Sequence, residues 1–246
     1  MKPTSIRLRS GTLDTLRGLT LVSMIVYHAC WDLVYLYRLD WGWYRSFWAG
    51  IWQQSICCTF ILLSGFCWQM GCHPLRRGLM SFFGGAAVSL ATLLVLPEAP
   101  VQFGVLTFLG SAALLTIPPR PGLVLSFALF LVLRDVNKGF LGLAGVPLLY
   151  LPRNWYANTL SAGLGFPAPS FVSSDYFSLL PWLFLFWAGF YLYRLRPEPP
   201  AVPDIRLPGI GAIGRRSLMV YLLHQPVIYG LLALIFSLQE VHLCLS

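Results

Sequence analysis

Asp14, Arg17, His28 and Asp32 recur within one membrane-length apolar segment, LDTLRGLTLVSMIVYHACWDLVYLY, where a simple anchor would carry no charge. Ionisable side chains inside a bilayer span are costly, face the protein interior and mark functional sites by default. On a helix of 3.6 residues per turn, Arg17 and His28 share a face and lie about 16 Å apart along the axis. Asp14 with Arg17 makes an i,i+3 pair, and His28 with Asp32 an i,i+4 pair, on nearly the same stripe. An imidazole titrates near neutrality, and a carboxylate one turn away can fix its tautomer and stabilise its protonated form. His28 is therefore the candidate general base and Asp32 its partner. Beside a thioester carbonyl, His28 would deprotonate an acceptor hydroxyl or amine for direct acyl transfer, or carry the acyl group itself. The plainer reading is that His28 hydrogen-bonds to a neighbouring helix as glue. Three charged companions on its stripe weigh toward chemistry. Arg17, with Gly18 next to it, would clamp a phosphate or a pantetheine carbonyl, or snorkel as an anchor paired with Asp14.

Two later segments carry further polar groups. SSDYFSLLPWLFLFWAGFYLYR sets Asp175 at the outer edge of a span, where a helix cap is the simpler reading. IGRRSLMVYLLHQPVIYG places Arg215 and Arg216 at a cytoplasmic boundary and His224, Gln225 and Pro226 in mid-span. Pro226 frees a backbone carbonyl one turn upstream, which Gln225 or a substrate could use. Helix packing and function explain this segment equally well.

The elements that must position these residues are membrane helices. The chain is 57% hydrophobic and 11% charged, with mean hydropathy +0.69, far from the soluble norm of about 25% charged residues. At about 20 apolar residues per span, the expected fold is all-α, a polytopic bundle of about seven or eight transmembrane helices forming a single domain over 1–246. The net charge of +8 comes from basic residues set singly or in pairs at the ends of apolar runs. Such residues set topology and give no case for nucleic-acid binding. The six cysteines show neither a CxxC pair nor zinc-finger spacing, so buried reduced thiols are expected and no metal site. Cys72-His73 after Cys67 has the wrong spacing for one. Lys2, Arg7 and Arg9 precede the first apolar stretch as in a signal peptide, but its length and its polar stripe predict a retained first span with its basic end inside.

Apolar runs predict spans near 13–37, 47–70, 79–96, 102–118, 122–151, 176–194 and 213–237. Positive-inside counting puts the N-terminus, Arg76-Arg77, Arg120 and the segment from Arg194 to Arg216 in the cytoplasm. The pieces 122–134 and 139–151 are each too short for an ordinary span. One true span plus a short re-entrant or interfacial piece gives seven crossings. RPEPPAVPDIRLPG reads as a stiff cytoplasmic linker. The outer loop RNWYANTLSAGLGFPAPSFVSSD mixes aromatic and amide groups of the kind that hold sugars, although interfacial anchoring explains Trp155 and Tyr156 equally well.

Four stretches resemble the bacterial members of the heparan-alpha-glucosaminide N-acetyltransferase-like family of transmembrane acyltransferases. They are LDTLRGLTLVSMIVYHACWDL at 13–33, VQFGVLTFLGSAALL at 101–115, SSDYFSLLPWLFLFWAGF at 173–190 and IGRRSLMVYLLHQPVI at 213–228. With FILLSGF at 60–66 they run in order through nearly the whole chain. The Arg17-x10-His28 spacing is also similar to the arginine–histidine signature of membrane O-acyltransferases that decorate cell-surface polysaccharides. The resemblance implies that acetyl-CoA or another acyl-CoA arrives from the cytoplasm as co-substrate, with no permanently bound cofactor. Its acyl end would reach an intramembrane histidine, and an acceptor would be modified at the far face. Arg17 and His28 carry over first, with Arg216 beside Arg17 on the CoA side. Asp14, Asp32, Asp175, His224 and Gln225 match motif positions with catalytic, substrate-binding or supporting roles. The lysosomal enzyme's active histidine lies beyond its first catalytic span, whereas YRLDWGWYRSFW contains none, so His28 would take over. Thr107 stands in FGVLTF where relatives often have histidine.

The leading expectation is an integral-membrane acyltransferase of a bacterial cytoplasmic membrane, N-terminus inside. Its partners would be acyl-CoA, a glycan or lipid-linked acceptor and membrane lipids, with a homodimer left open. A proton-coupled small-solute transporter or flippase is the alternative, in which His28, Asp32 and His224 relay protons. A structural membrane subunit is the third reading.

Overall fold

A chain in lipid has no water to satisfy its backbone, so long apolar runs close their own hydrogen bonds as helices. The computed structural model describes residues 10–71, 73–116, 121–195 and 204–245, with side chains as far as 238. Lys2, Arg7, Arg9, Cys72, Pro118, Pro119, Arg120 and the linker residues 196–203, on which part of the expected topology rests, lie outside the described residues. Helix α1 (Gly11–Tyr35) starts at Ser10, whose side chain accepts from the Leu13 amide at 3.4 Å, and it carries Asp14 in its first turn. Both features favour a helix start. A 3-10 turn at Gly42–Arg45 leads into α2 (Phe47–Trp68). Pro74 opens α3 (Pro74–Val95) at a position where its missing N–H is no loss. The last helix, labelled α9, is Ser217–Leu245. Among the described residues these four, with α9 taken to Leu238, are long and apolar enough to cross a membrane, by length and composition.

The other helices are shorter: α4 (Val105–Leu115), α5 (Leu123–Leu133), α6 (Thr159–Leu164), α7 (Leu179–Leu195) and α8 (Pro208–Arg215). Helices as short as α4 and α5 extend only about 17 Å at 1.5 Å per residue, against a hydrocarbon core of about 30 Å. The expectation of about seven or eight spans thus meets four helices of sufficient length. The described residues are mostly helical, as expected of an all-α chain, with one departure at 139–151. Here β1 (Phe140–Leu143) and β2 (Val146–Tyr150) pair antiparallel, with a bulge between Leu141 and Gly142. Gly142, Gly145 and Pro147 disfavour a helix, and the tip residues Ala144 and Gly145 take φ of 52° and 83°, as a tight two-residue hairpin turn requires.

The chain divides into two compact units, Met1–Phe60 with Ala201–Ser246, and Ile61–Pro200. In the first, α1 packs on α8 and α9. The α1–α8 contact is close enough to require glycine. A Cβ on Gly18 would lie 2.0 Å from the Ile210 carbonyl oxygen, and one on Gly214 would lie 2.0 Å from that of Asp14. The end of the linker is tied to the first turns of α1. Asp204 Oδ1 accepts from the Gly11 amide at 2.8 Å, and Thr15 Oγ1 donates to the Ile205 carbonyl at 3.1 Å while accepting from the Leu207 amide at 3.3 Å. In the second unit α3 packs on α4 and α5 on α7. There Gly65 faces the Phe186 carbonyl and Gly189 that of Leu62, each too close for a Cβ.

Candidate active site

Within the first unit, α1 and α9 bring four of the sequence-predicted residues together. His28 and Asp32 lie one turn apart on α1, and His224 and Gln225 are consecutive on α9. The His28 and His224 rings stand 5.0 Å apart, centroid to centroid, at 57°. Gln225 Nε2 donates to Asp32 Oδ1 at 2.9 Å. The carboxylate that the helical spacing offers to His28 is thus engaged by Gln225, and no hydrogen bond joins Asp32 to His28. Asp32 is fully buried. Its Oδ2 and the Gln225 Oε1 are buried atoms without a hydrogen-bond partner among the described residues. Two acceptors without donors, beside two imidazoles, suit a bound group that carries N–H or O–H.

His224 Nδ1 lies 2.5 Å from the Tyr221 carbonyl. A carbonyl only accepts, so this bond assigns the hydrogen to Nδ1, and Nε2 of the neutral ring holds the lone pair. Pro226 sits inside α9 and removes the amide that would have bonded the Leu222 carbonyl. An aromatic group steadies α1 around His28. Tyr27 meets His28 edge-on at 6.2 Å and Trp52 edge-on at 5.1 Å. The Tyr44 hydroxyl donates to the Tyr27 carbonyl at 3.1 Å, and Trp52 Nε1 donates to Ser23 Oγ at 2.8 Å. Sequence reasoning did not single out Tyr27, Tyr44, Trp52 or Tyr221. The signal for the first three is the density of Trp and Tyr from Tyr27 to Trp52.

The other predicted residues lie away from this pair of histidines. Asp14 is buried in the first turn of α1, against Gly214 of α8. Arg17 is half-buried next to the Gly18–Ile210 contact, and Arg216 is exposed at the junction of α8 and α9. Arg215 reaches back over Gly211, whose Cβ would lie 3.5 Å from its guanidinium and 3.8 Å from Thr15 Oγ1. Asp175 belongs to the second unit. Its Oδ2 accepts from the Val105 amide at 3.1 Å, so it caps α4, whose own Gly104 has no side chain to do so. Among the described residues no group of three or more His, Cys, Asp or Glu is placed to hold a metal ion.

Residues 9–226 match the family model described as heparan-alpha-glucosaminide N-acetyltransferase, catalytic. The match takes in both the His28–Asp32 turn and the His224–Gln225 pair. No curated protein and no solved structure matches the chain.

Proposed function

The chain belongs to the heparan-alpha-glucosaminide N-acetyltransferase catalytic family, and from that premise we propose that it moves an acetyl or similar acyl group from cytoplasmic acyl-CoA to a glycan or lipid-linked acceptor at the outer face. Family membership implies an N-acetyltransferase, and with four long apolar helices it indicates an integral membrane protein. In this reading the whole chain is one domain crossing a bacterial cytoplasmic membrane about seven times with its N-terminus inside, as positive-inside counting suggests. The shorter apolar helices α4, α5 and α7 then complete the bundle.

The observation that carries the mechanism is the meeting of His28 with His224 beside the Asp32–Gln225 bond. The acceptor's N–H or O–H groups bond to Asp32 Oδ2 and Gln225 Oε1, which orients the nucleophile. His28 takes its proton as it attacks the thioester carbonyl, and the tetrahedral intermediate collapses by expelling the CoA thiolate. The proton held on His28 then passes to that thiolate. In the covalent variant His28 attacks first, releases CoA and hands the acyl group to the acceptor. His224, with its lone pair on Nε2, is placed to share the proton. Arg17 and Arg216 serve the phosphate-rich end of the co-substrate, and Asp14 supports that end through the α1–α8 contact. Acyl-CoA is consumed, not resident, and no bound cofactor is invoked.

The test uses purified protein in lipid nanodiscs. Wild type is expected to bind acyl-CoA and deacylate it slowly, whereas a folded His28→Ala variant binds it with turnover reduced by about 100-fold or more, the usual worth of a general base. Absence of acyl-CoA binding by either protein removes the enzyme reading. A pH-dependent solute flux without deacylation would then favour the proton-coupled transporter, which draws on the same two imidazoles.

A further inference from the structure

From Gly139 to Leu151 the chain carries no charged side chain, and Tyr150 supplies the segment's one polar side-chain atom. Every residue of β2 is exposed, Leu148 at 67% and Tyr150 at 75%. Leu143 and Val146, which pair at the tip, are exposed as well. An antiparallel ribbon with one wet face alternates apolar with polar residues. This one is apolar on both faces, so water does not suit it. Deep hydrocarbon does not suit it either, because both outer edges of a two-stranded ribbon present unpaired N–H and C=O groups, each costing several kcal/mol in lipid. Pro147 removes one donor and leaves the rest.

The boundary between lipid headgroups and acyl chains meets both demands. Apolar side chains sink there while the strand edges stay within reach of water and headgroups. The flanks of the hairpin fit that depth. Arg134, Lys138 and Arg153 are exposed around its base, with Lys138 held to Asp135 at 2.7 Å. Trp155 and Tyr150 add the exposed amphipathic rings common at membrane interfaces. Within the same unit β1 packs on α5, whose Val124, Leu125 and Phe127 are exposed, so the apolar surface of the ribbon continues that of a helix.

We infer that the 139–151 hairpin is an interfacial anchor that lies in the lipid surface, its tip among the upper acyl carbons and its cationic base among the headgroups. This rests on the chain's membrane character and stands whether or not it transfers acyl groups. The test uses wild-type protein in phosphatidylcholine–phosphatidylglycerol vesicles doped with photoreactive lipids. One probe bears its carbene precursor next to the glycerol ester and the other bears it at the chain terminus, and adducts are mapped by peptide mass spectrometry. Exposed Phe83 and Leu90 of α3 provide the lipid-facing standard. For a segment about 5–10 Å deep, residues 143–149 should take the shallow probe about threefold more than the terminal one. Preferential labelling by the terminal probe overturns the interfacial depth. Labelling of α3 by both probes with none on the hairpin overturns the anchor, and intermolecular crosslinks through Lys138 would then identify a second copy of the chain as its cover.

Discussion

Asp32 has a buried carboxylate with one donor, the Gln225 amide, and that pairing separates stability from chemistry. Gln225→Leu leaves Asp32 buried with no donor and should lower stability by about 1–3 kcal/mol, read as a drop in unfolding temperature in detergent. Replacing both residues by leucine should recover most of that loss, since removing both partners of a buried hydrogen bond is nearly neutral. Acyl transfer should not recover. If it does, the pair is only a clasp between α1 and α9. Helical spacing made the His28–Asp32 stripe legible in the sequence. It could not show that Asp32 turns to a glutamine 193 residues later, because periodicity gives a side chain's face and not its neighbour. His224 and Gln225 were legible as misplaced polar residues beside a mid-helix proline, and Asp175 as a cap, though of which helix only the fold reveals.

At the scale of elements, close helix contacts decide where a methyl group is tolerated. Gly18→Ala and Gly214→Ala force a Cβ against a carbonyl oxygen 2.0 Å away, and each should destabilise by about 1–3 kcal/mol, as overpacking does. Gly84→Ala in α3 meets nothing within 4 Å and should stabilise by about 0.5–1 kcal/mol. Equal losses at all three positions, measured by denaturant or thermal unfolding, would show that the α1–α8 contact is not the tight one. The tether between linker and α1 has its own signature in pH. The hydrogen bond from Arg206, above all, holds the exposed Asp204 carboxyl below its ordinary value, with the Gly11 amide contributing. A lowered folded-state pKa gives stabilisation that is present above the ordinary carboxylate range and lost as pH falls through the lowered value. Protection of the Gly11 amide, corrected for intrinsic exchange, should therefore persist at pH 6 and decline below about pH 4. At neutral pH Asp204→Asn should raise tryptic cleavage after Arg206. Hydropathy located α1 and α2 within two residues at each end and α3 within five, and found α9 while stopping eight residues short of its end at Leu245, because a long apolar run has one backbone solution in lipid. It left 139–151 as a short re-entrant or interfacial piece, where Gly142, Gly145 and Pro147 inside an apolar run select a hairpin that hydropathy alone does not distinguish from helix.

For the molecule as a whole, the family and the membrane character were legible because motifs and apolar runs are local in sequence. The division of the chain was not, because one unit is assembled from its two ends. That arrangement has a consequence for biosynthesis. At about 5–20 residues per second, α1 is in the bilayer for roughly 10–40 s before the ribosome has made Gln225. During that interval Asp32 has no donor from α9, and for most of it Gly18 has no Ile210 to meet and Asp14 no Gly214. The helix that holds the proposed base is thus made well before α8 and α9, the helices it packs on, an assembly order that leaves a polar helix to be sheltered by the insertion machinery. A chain released before α9 is complete would carry that unfinished helix as its mark for disposal.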